Sequence, residues 1–220
     1  MNKQDGVAHL GASAKYEQYT WQEEIAHATT HGLGILLSVL GGVWLCVMAG
    51  NLRQTIGFTI YGLSSTLLYL ASTLYHGLPH PNLKGLLRRL DHSAIYLLIA
   101  GSSTPFLLTL RQGWLPLLFM WGLAVAGIAF KLLVRNPHRY ERISLAGYLA
   151  MGWVGALAAW QAIVMLSAPA LILLVCGELL YTFGVFFYNW VSLRYHHAIW
   201  HLFVLSGSIC HYFAIMSLAR

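Results

Sequence analysis

The sequence predicts an all-α membrane protein, a bundle of seven transmembrane helices with a cytoplasmic N-terminus and the C-terminus outside. Three observations carry this. Of the 220 residues, 58% are hydrophobic and 9% charged, whereas soluble chains carry about 25% charged residues. A soluble domain this apolar would expose large hydrophobic patches. The few charges are gathered between long runs free of Asp, Glu, Lys and Arg, at 25–52, 54–83, 92–110, 112–130, 143–177, 179–193 and 195–219. A helix needs roughly 20 apolar residues to cross a bilayer. Finally, the basic residues alternate sides in the manner that sets membrane orientation.

The elements follow in order. Residues 1–22 are polar and mixed in charge. They lack the basic and apolar regions of a secretory signal and read as a short, poorly ordered cytoplasmic tail. One transmembrane domain is expected over 23–220, with helices near 24–49, 56–78 and 91–110. Pro105 should kink the third. The segment between the second and third, "PHPNLKGLLRRL", reads as a separate interfacial helix, with Leu83, Leu86, Leu87 and Leu90 on one face. A fourth helix is expected near 114–134. The 143–177 run is too long for one span. It breaks at Ser167-Ala168-Pro169, since proline suits the first turn of a helix, giving helices near 142–166 and 169–191. Glu178 then lies inside the sixth span, and the seventh covers 196–218.

The net charge of +6 reads as a topology signal rather than a nucleic-acid footprint. Ten basic residues (Lys3, Lys15, Lys84, Arg88, Arg89, Lys131, Arg135, Arg139, Arg142 and Arg194) fall on the side of the tail. Three (Arg53, Arg111 and Arg220) fall on the other, which places the N-terminus inside. The three cysteines, Cys46, Cys176 and Cys210, sit in apolar runs; an odd number of buried thiols is no disulfide framework.

Polar side chains of one chemistry converge at the cytoplasmic end. His197 and His201 are four apart and share a face at the start of the seventh helix. Ser72 and His76 do the same at the end of the second, and Asp91 opens the third. Two histidines at this spacing plus one from another helix make a three-nitrogen zinc set. A nearby carboxylate can hold and deprotonate water at the open position. Asp91 is the candidate general base and Ser72 a second hydrogen-bonding group. Taken singly, Asp91 is equally an N-cap and Ser72 more often helix-packing glue. The convergence favours zinc.

These residues resemble the progestin and adipoQ receptor family, in its hemolysin III-like bacterial branch. Besides S-x-x-x-H at 72–76, Asp91 and H-x-x-x-H at 197–201, the resemblance rests on "EEIAHATTHGLG", "YLASTLYH", "LDHSAIYLLIAGSSTPFLL", "YLAMGW" and "HHAIWHLFVLSGSICHYFAI". It implies a seven-helix bundle in the inner membrane with a zinc near the inner leaflet, held by His76, His197 and His201. It also implies Asp91 acting on water at the metal and Ser72 behind it. The superfamily is thought to include ceramide-hydrolysing enzymes, so the resemblance points to a membrane lipid as substrate. The absence of a long receptor tail argues against a hormone receptor, and the resident spans argue against a secreted pore-former.

Three function classes therefore stand: a zinc-dependent lipid hydrolase, a non-catalytic membrane sensor with structural zinc, and a channel or transporter using Glu178, an ionisable group in mid-span. His27 and His31, four apart in the first helix, could complete or compete for the metal, but read better as packing and support. Glu23 and Glu24 read as first-turn carboxylates complementing the helix dipole. His92 points roughly 100° from Asp91. His196 reads as interfacial. His211, about 15 Å beyond His201 along the axis, is too deep to reach the same ion. The orientation is checked by reporter fusions: a periplasm-active enzyme fused after Arg220 should be active and one fused after Arg139 silent. The opposite pattern would invert the topology.

Overall fold

A computed structural model describes residues 19–134 and 140–219; residues 1–18, including most of the tail, lie outside the described residues, as do 135–139 and Arg220. Among the described residues the chain is helical without strands. The helices are α1 (Trp21–Met48), α2 (Leu52–Gly77), α3 (Pro81–Thr109), α4 (Trp114–Leu133), α5 (Glu141–Ala158), the short α6 (Trp160–Ile163), α7 (Ala168–Asn189) and α8 (His196–Met216). A 3₁₀ turn over Ser217–Ala219 follows.

Local chemistry sets the boundaries. Thr20 and Glu23 form a reciprocal capping box at the start of α1. The Asn51 side chain caps α2 by accepting from the Gln54 N–H at 3.0 Å. Pro81 opens α3 and Pro169 sits in the first turn of α7, where the missing N–H costs nothing.

Two expectations need correction. The 79–90 segment is no separate interfacial helix: α3 runs unbroken from Pro81 to Thr109, through Pro105. Asp91 therefore lies about three turns inside α3 and is not its N-cap. The leucine stripe at 83, 86 and 90 is simply the outward face of those first turns. The fifth helix, expected to reach 166, ends at Ala158 and is followed by the single turn of α6.

Trp21–Met48, Trp114–Leu133, Ala168–Asn189 and His196–Ala219 are each long and apolar enough to cross a membrane. Large apolar side chains such as Val47, Leu133 and Phe186 face outward, while His27, Ser72, His76, Arg88, Asp91 and Lys131 are buried. That inside-out distribution suits a lipid surround, where polar groups must be satisfied within the bundle. Consecutive helices pack side by side, α5 leans on α7, and α1 closes the ring against α8. α3 meets α2, α4, α5, α6 and α8. α1 and α2 approach closely where Gly42 faces Gly62: a Cβ on either would stand 3.1 Å from the other's Cα. Gly122, by contrast, faces open space, so it is not the packing glycine its apolar context suggests.

A charged cluster locks the end of the bundle where α2 finishes and α3 begins. The Arg88 guanidinium donates to both Glu141 oxygens, at 3.0 and 3.1 Å, and the Tyr188 hydroxyl donates to the same carboxylate. This ties α3, α5 and α7. Lys131 Nζ lies 3.5 Å from His92 Nδ1 and 5.7 Å above the Tyr148 ring. With Arg88 3% and Lys131 2% exposed, neither is the free cytoplasmic loop charge its sequence position suggests. Removing one partner of a buried pair strands the other. Arg88→Met should therefore destabilise the protein by about 3–5 kcal/mol, and adding Glu141→Leu should restore much of the loss. Thermal unfolding in detergent checks both; an unchanged melting temperature for Arg88→Met would show that the pair does not hold the helices.

Candidate metal centre

The first turn of α1 organises the site. Glu23 caps its own helix through Thr20, and its Oε1 accepts the backbone N–H of Tyr195 at 3.2 Å. Tyr195 is the residue before α8 and has φ of 60°, a left-handed conformation that costs a non-glycine residue about 1–2 kcal/mol. The contact helps hold this bend, which aims His197 and His201 inward. Glu24, one residue on, turns the other way. Its Oε2 lies 2.6 Å from His76 Nδ1, and its Oε1 accepts from Lys84 Nζ at 2.8 Å. Lys84 also donates to the Tyr75 carbonyl at 2.7 Å. α1, the end of α2 and the start of α3 are joined by this one carboxylate.

The structure brings His76, His197 and His201 together. Each offers a ring nitrogen within 4.8 Å of the others, and all three are buried. Hydrogen bonds fix two of the tautomers. His76 Nδ1 faces a carboxylate, so it carries the proton and leaves a lone pair on Nε2, which is buried without a protein partner. His201 Nδ1 lies 3.2 Å from both the Thr30 hydroxyl and the His27 carbonyl, and because the carbonyl only accepts, the proton sits on Nδ1 and the lone pair on Nε2. An imidazole held through one nitrogen to a carboxylate or carbonyl and open at the other is the usual form of a metal-binding histidine. The donor set and its buried, unpartnered Nε2 thus fit a zinc ion.

Asp91 and Ser72 lie at the edge of this group. The Asp91 side chain neighbours the Ser72 hydroxyl, although the hydroxyl makes no regular hydrogen bond. Asp91 shares a cavity of about 30 Å³ with His197, His201, Lys131, Glu141 and Tyr188, room for about one water molecule. His31 stacks flat on His201, with ring centroids 3.6 Å apart and planes 9° apart. His27 sits among the ligand candidates, with centroids 4.6 Å from His76 and 4.9 Å from His197. Tyr19 covers the group, edge-on to His27 at 4.6 Å.

Other residues lie apart. Glu178 Oε1 faces His211 Nε2 at 3.7 Å in a deeper cavity of about 70 Å³. The two cavities share Ile95, Leu145, Tyr148 and Trp200 as walls. His92 turns towards Lys131. His196 is not interfacial: it is buried, with Nδ1 donating to the Phe187 carbonyl at 3.2 Å. His9 and His138 lie outside the described residues.

Glu24 is the residue that sequence reasoning missed. As a helix-dipole carboxylate it looked equivalent to Glu23, yet the two do different work. A signal existed, because Glu24, His27 and His31 recur at i, i+3 and i+7 and so share one helical face. Arg88, Lys131 and Glu141 were missed for a different reason: charges flanking apolar runs look like loop charges until the helices are packed.

Comparison with known proteins agrees with this architecture. The family model for haemolysin-III related proteins matches residues 19–212. The chain is 44% identical over 204 residues to the hemolysin-3 homolog of Bacillus subtilis, covering 90% of this chain and 95% of the relative. It is 44% identical over 201 residues to hemolysin-3 of Bacillus cereus, covering 89% and 91%. It is 31% identical over 219 residues to the human monocyte to macrophage differentiation factor, covering 93% and 87%. With its outward apolar surface, the chain is a multi-pass integral membrane protein and belongs to the haemolysin-III related family, the bacterial hemolysin III-like branch of the progestin and adipoQ receptors.

Proposed function

We propose that this protein is a zinc-dependent hydrolase of lipid amide or ester bonds, ceramidase-like in chemistry and acting in membrane lipid homeostasis. The seven long helices all span the bacterial inner membrane, with the N-terminus cytoplasmic, the C-terminus outside and the site at the inner leaflet. His76, His197 and His201 hold the ion, with Asp91 as base and Ser72 behind it. The observation that carries the reading is the convergence of three buried imidazoles, two with Nε2 freed, beside a carboxylate and a water-sized cavity.

When bound, zinc polarises the scissile carbonyl and makes water more acidic. The protein's own residues do the rest. Asp91 accepts the proton of the attacking water and returns it to the leaving amine or alcohol. Ser72, against the Asp91 carboxyl, orients it. The Glu24 and His27 contacts keep His76 and His201 in the tautomer that presents Nε2. The narrow site cavity excludes bulk water.

A second reading, a membrane-state sensor with structural zinc, draws on the small size of the site cavity, which admits water but no lipid without opening. One variant separates the two. Asp91→Asn is nearly isosteric and should keep the zinc and the fold while lowering lipid turnover by about 10²–10⁴-fold, the usual worth of acid–base catalysis. Zinc content, melting temperature and turnover of a lipid panel are measured on the same preparation. Loss of zinc and stability together would favour the structural site, and unchanged turnover would remove Asp91 from the mechanism. The metal assignment itself fails if His197→Ala, His201→Ala retains full zinc.

A further inference from the structure

The side chain of His27 has no role in the reaction above, which uses only its backbone carbonyl. His27 is fully buried, and neither ring nitrogen has a hydrogen-bond partner. Leaving such nitrogens unsatisfied is costly, and an apolar residue of similar size would avoid the cost. Its Nδ1 lies 3.8 Å from Glu24 Oε2, and that same oxygen lies 2.6 Å from His76 Nδ1. Glu24, His27 and His76 thus offer three ligand atoms within 4.8 Å of one another, a set distinct from His76, His197 and His201.

We propose that Glu24, His27 and His76 form a second divalent-cation position beside the first, with the His76 imidazole bridging the two through its two nitrogens. The proposal rests on the first site being a metal site, since His76 is common to both.

The donor set, two imidazole nitrogens and one carboxylate oxygen, is one that binds zinc in open sites. Donors 2.0–2.2 Å from one ion stand about 3.3 Å apart at the tetrahedral angle. The 2.6 and 3.8 Å separations bracket that value, so small side-chain shifts would admit an ion. The carboxylate is already oriented for it. Lys84 holds Glu24 Oε1 at 2.8 Å, which turns Oε2 towards both rings. His76 Nε2 is buried without a partner and remains available to the first ion. The second ion takes the place of the proton that Nδ1 shares with Glu24, and that proton leaves to solvent. The Glu24 side chain is 15% exposed and those of both histidines fully buried, so the second position lies on the solvent side of the first. Displacing a proton, and repulsion between two divalent ions, make the second position the weaker by about tenfold or more.

The test is a titration of metal-free, full-length protein in detergent with zinc, followed by calorimetry and elemental analysis. The expected result is two ions per chain in two steps. His27→Asn should abolish the weak step and leave the tight one unchanged, whereas His197→Ala should abolish the tight step. Copper(II) loaded to two equivalents should show the exchange-coupled resonance of an imidazole-bridged pair, absent in His27→Asn. Saturation of the wild type at one ion, or two ions retained in His27→Asn, would overturn the second position while leaving the first intact. Loss of the tight step in His27→Asn would also overturn it, by making His27 part of the first site. No binding at all in the wild type would remove both readings together.

Discussion

The contact between Glu24 and His76 is the joint on which the histidine-bearing half of the bundle turns. It is short, 2.6 Å, and largely shielded from water, conditions under which a charge-assisted hydrogen bond is strong. Through Lys84 it draws the start of α3 against α1, and through its neighbour Glu23 it is one residue from the contact that seats the turn before α8. Two adjacent carboxylates at one helix start thereby gather α1, α2, α3 and α8. Their placement follows from the capping box at Thr20, which fixes the rotation of the first turn and sends Glu23 and Glu24 to different sides.

This dependence explains what could be read from the sequence. The spacings His197–His201 and Ser72–His76 were legible because four residues along a helix define one face, and the span breaks put both faces at one end. Pro169 was legible at the first turn of α7 because proline tolerates that position and few others. What remained hidden was contact between helices. Nothing local distinguishes Glu24 from Glu23, or Arg88 from an ordinary loop arginine. Whether a flanking charge points to solvent or into the bundle depends on the neighbouring helix. The leucines at 83, 86 and 90 gave a true amphipathic pattern but the wrong element. An interfacial helix and the end of a longer spanning helix share the same periodicity, and only the absence of a break after Leu90 decides between them.

The burial of Arg88 and Lys131 also bears on orientation. Counting basic residues by side assumes that each lies free near the membrane surface. With these two buried and Lys84 tied to Glu24 and the Tyr75 carbonyl, seven of the ten that the sequence assigns to the side of the tail remain, against three on the other. The asymmetry no longer leans on residues whose purpose is internal. Arg88 instead offsets the charge of Glu141, and Lys131 shares one cavity with Asp91, Glu141, His197 and His201.

Energetically, this end of the protein is arranged against stability. Imidazole nitrogens of His27, His31, His76 and His197, with the Ser72 hydroxyl, are buried without protein hydrogen bonds, and Tyr195 holds a left-handed backbone immediately before α8. Apolar side chains of similar volume would avoid the burial costs, and the extensive packing of α1 on α2 and α7 on α8 would remain. Unsatisfied groups such as Ser93 and His211 also occur elsewhere in the bundle, but four of the five imidazoles with unpartnered nitrogens, those of His27, His31, His76 and His197, gather at this one site. The packing elsewhere supplies the stability that this cluster lacks, and a ligand common to the rings would satisfy several of the orphaned nitrogens at once. That gathering says more for a metal centre than the identity of any one histidine, because helix packing alone gives no reason for four imidazoles with unpartnered nitrogens to meet.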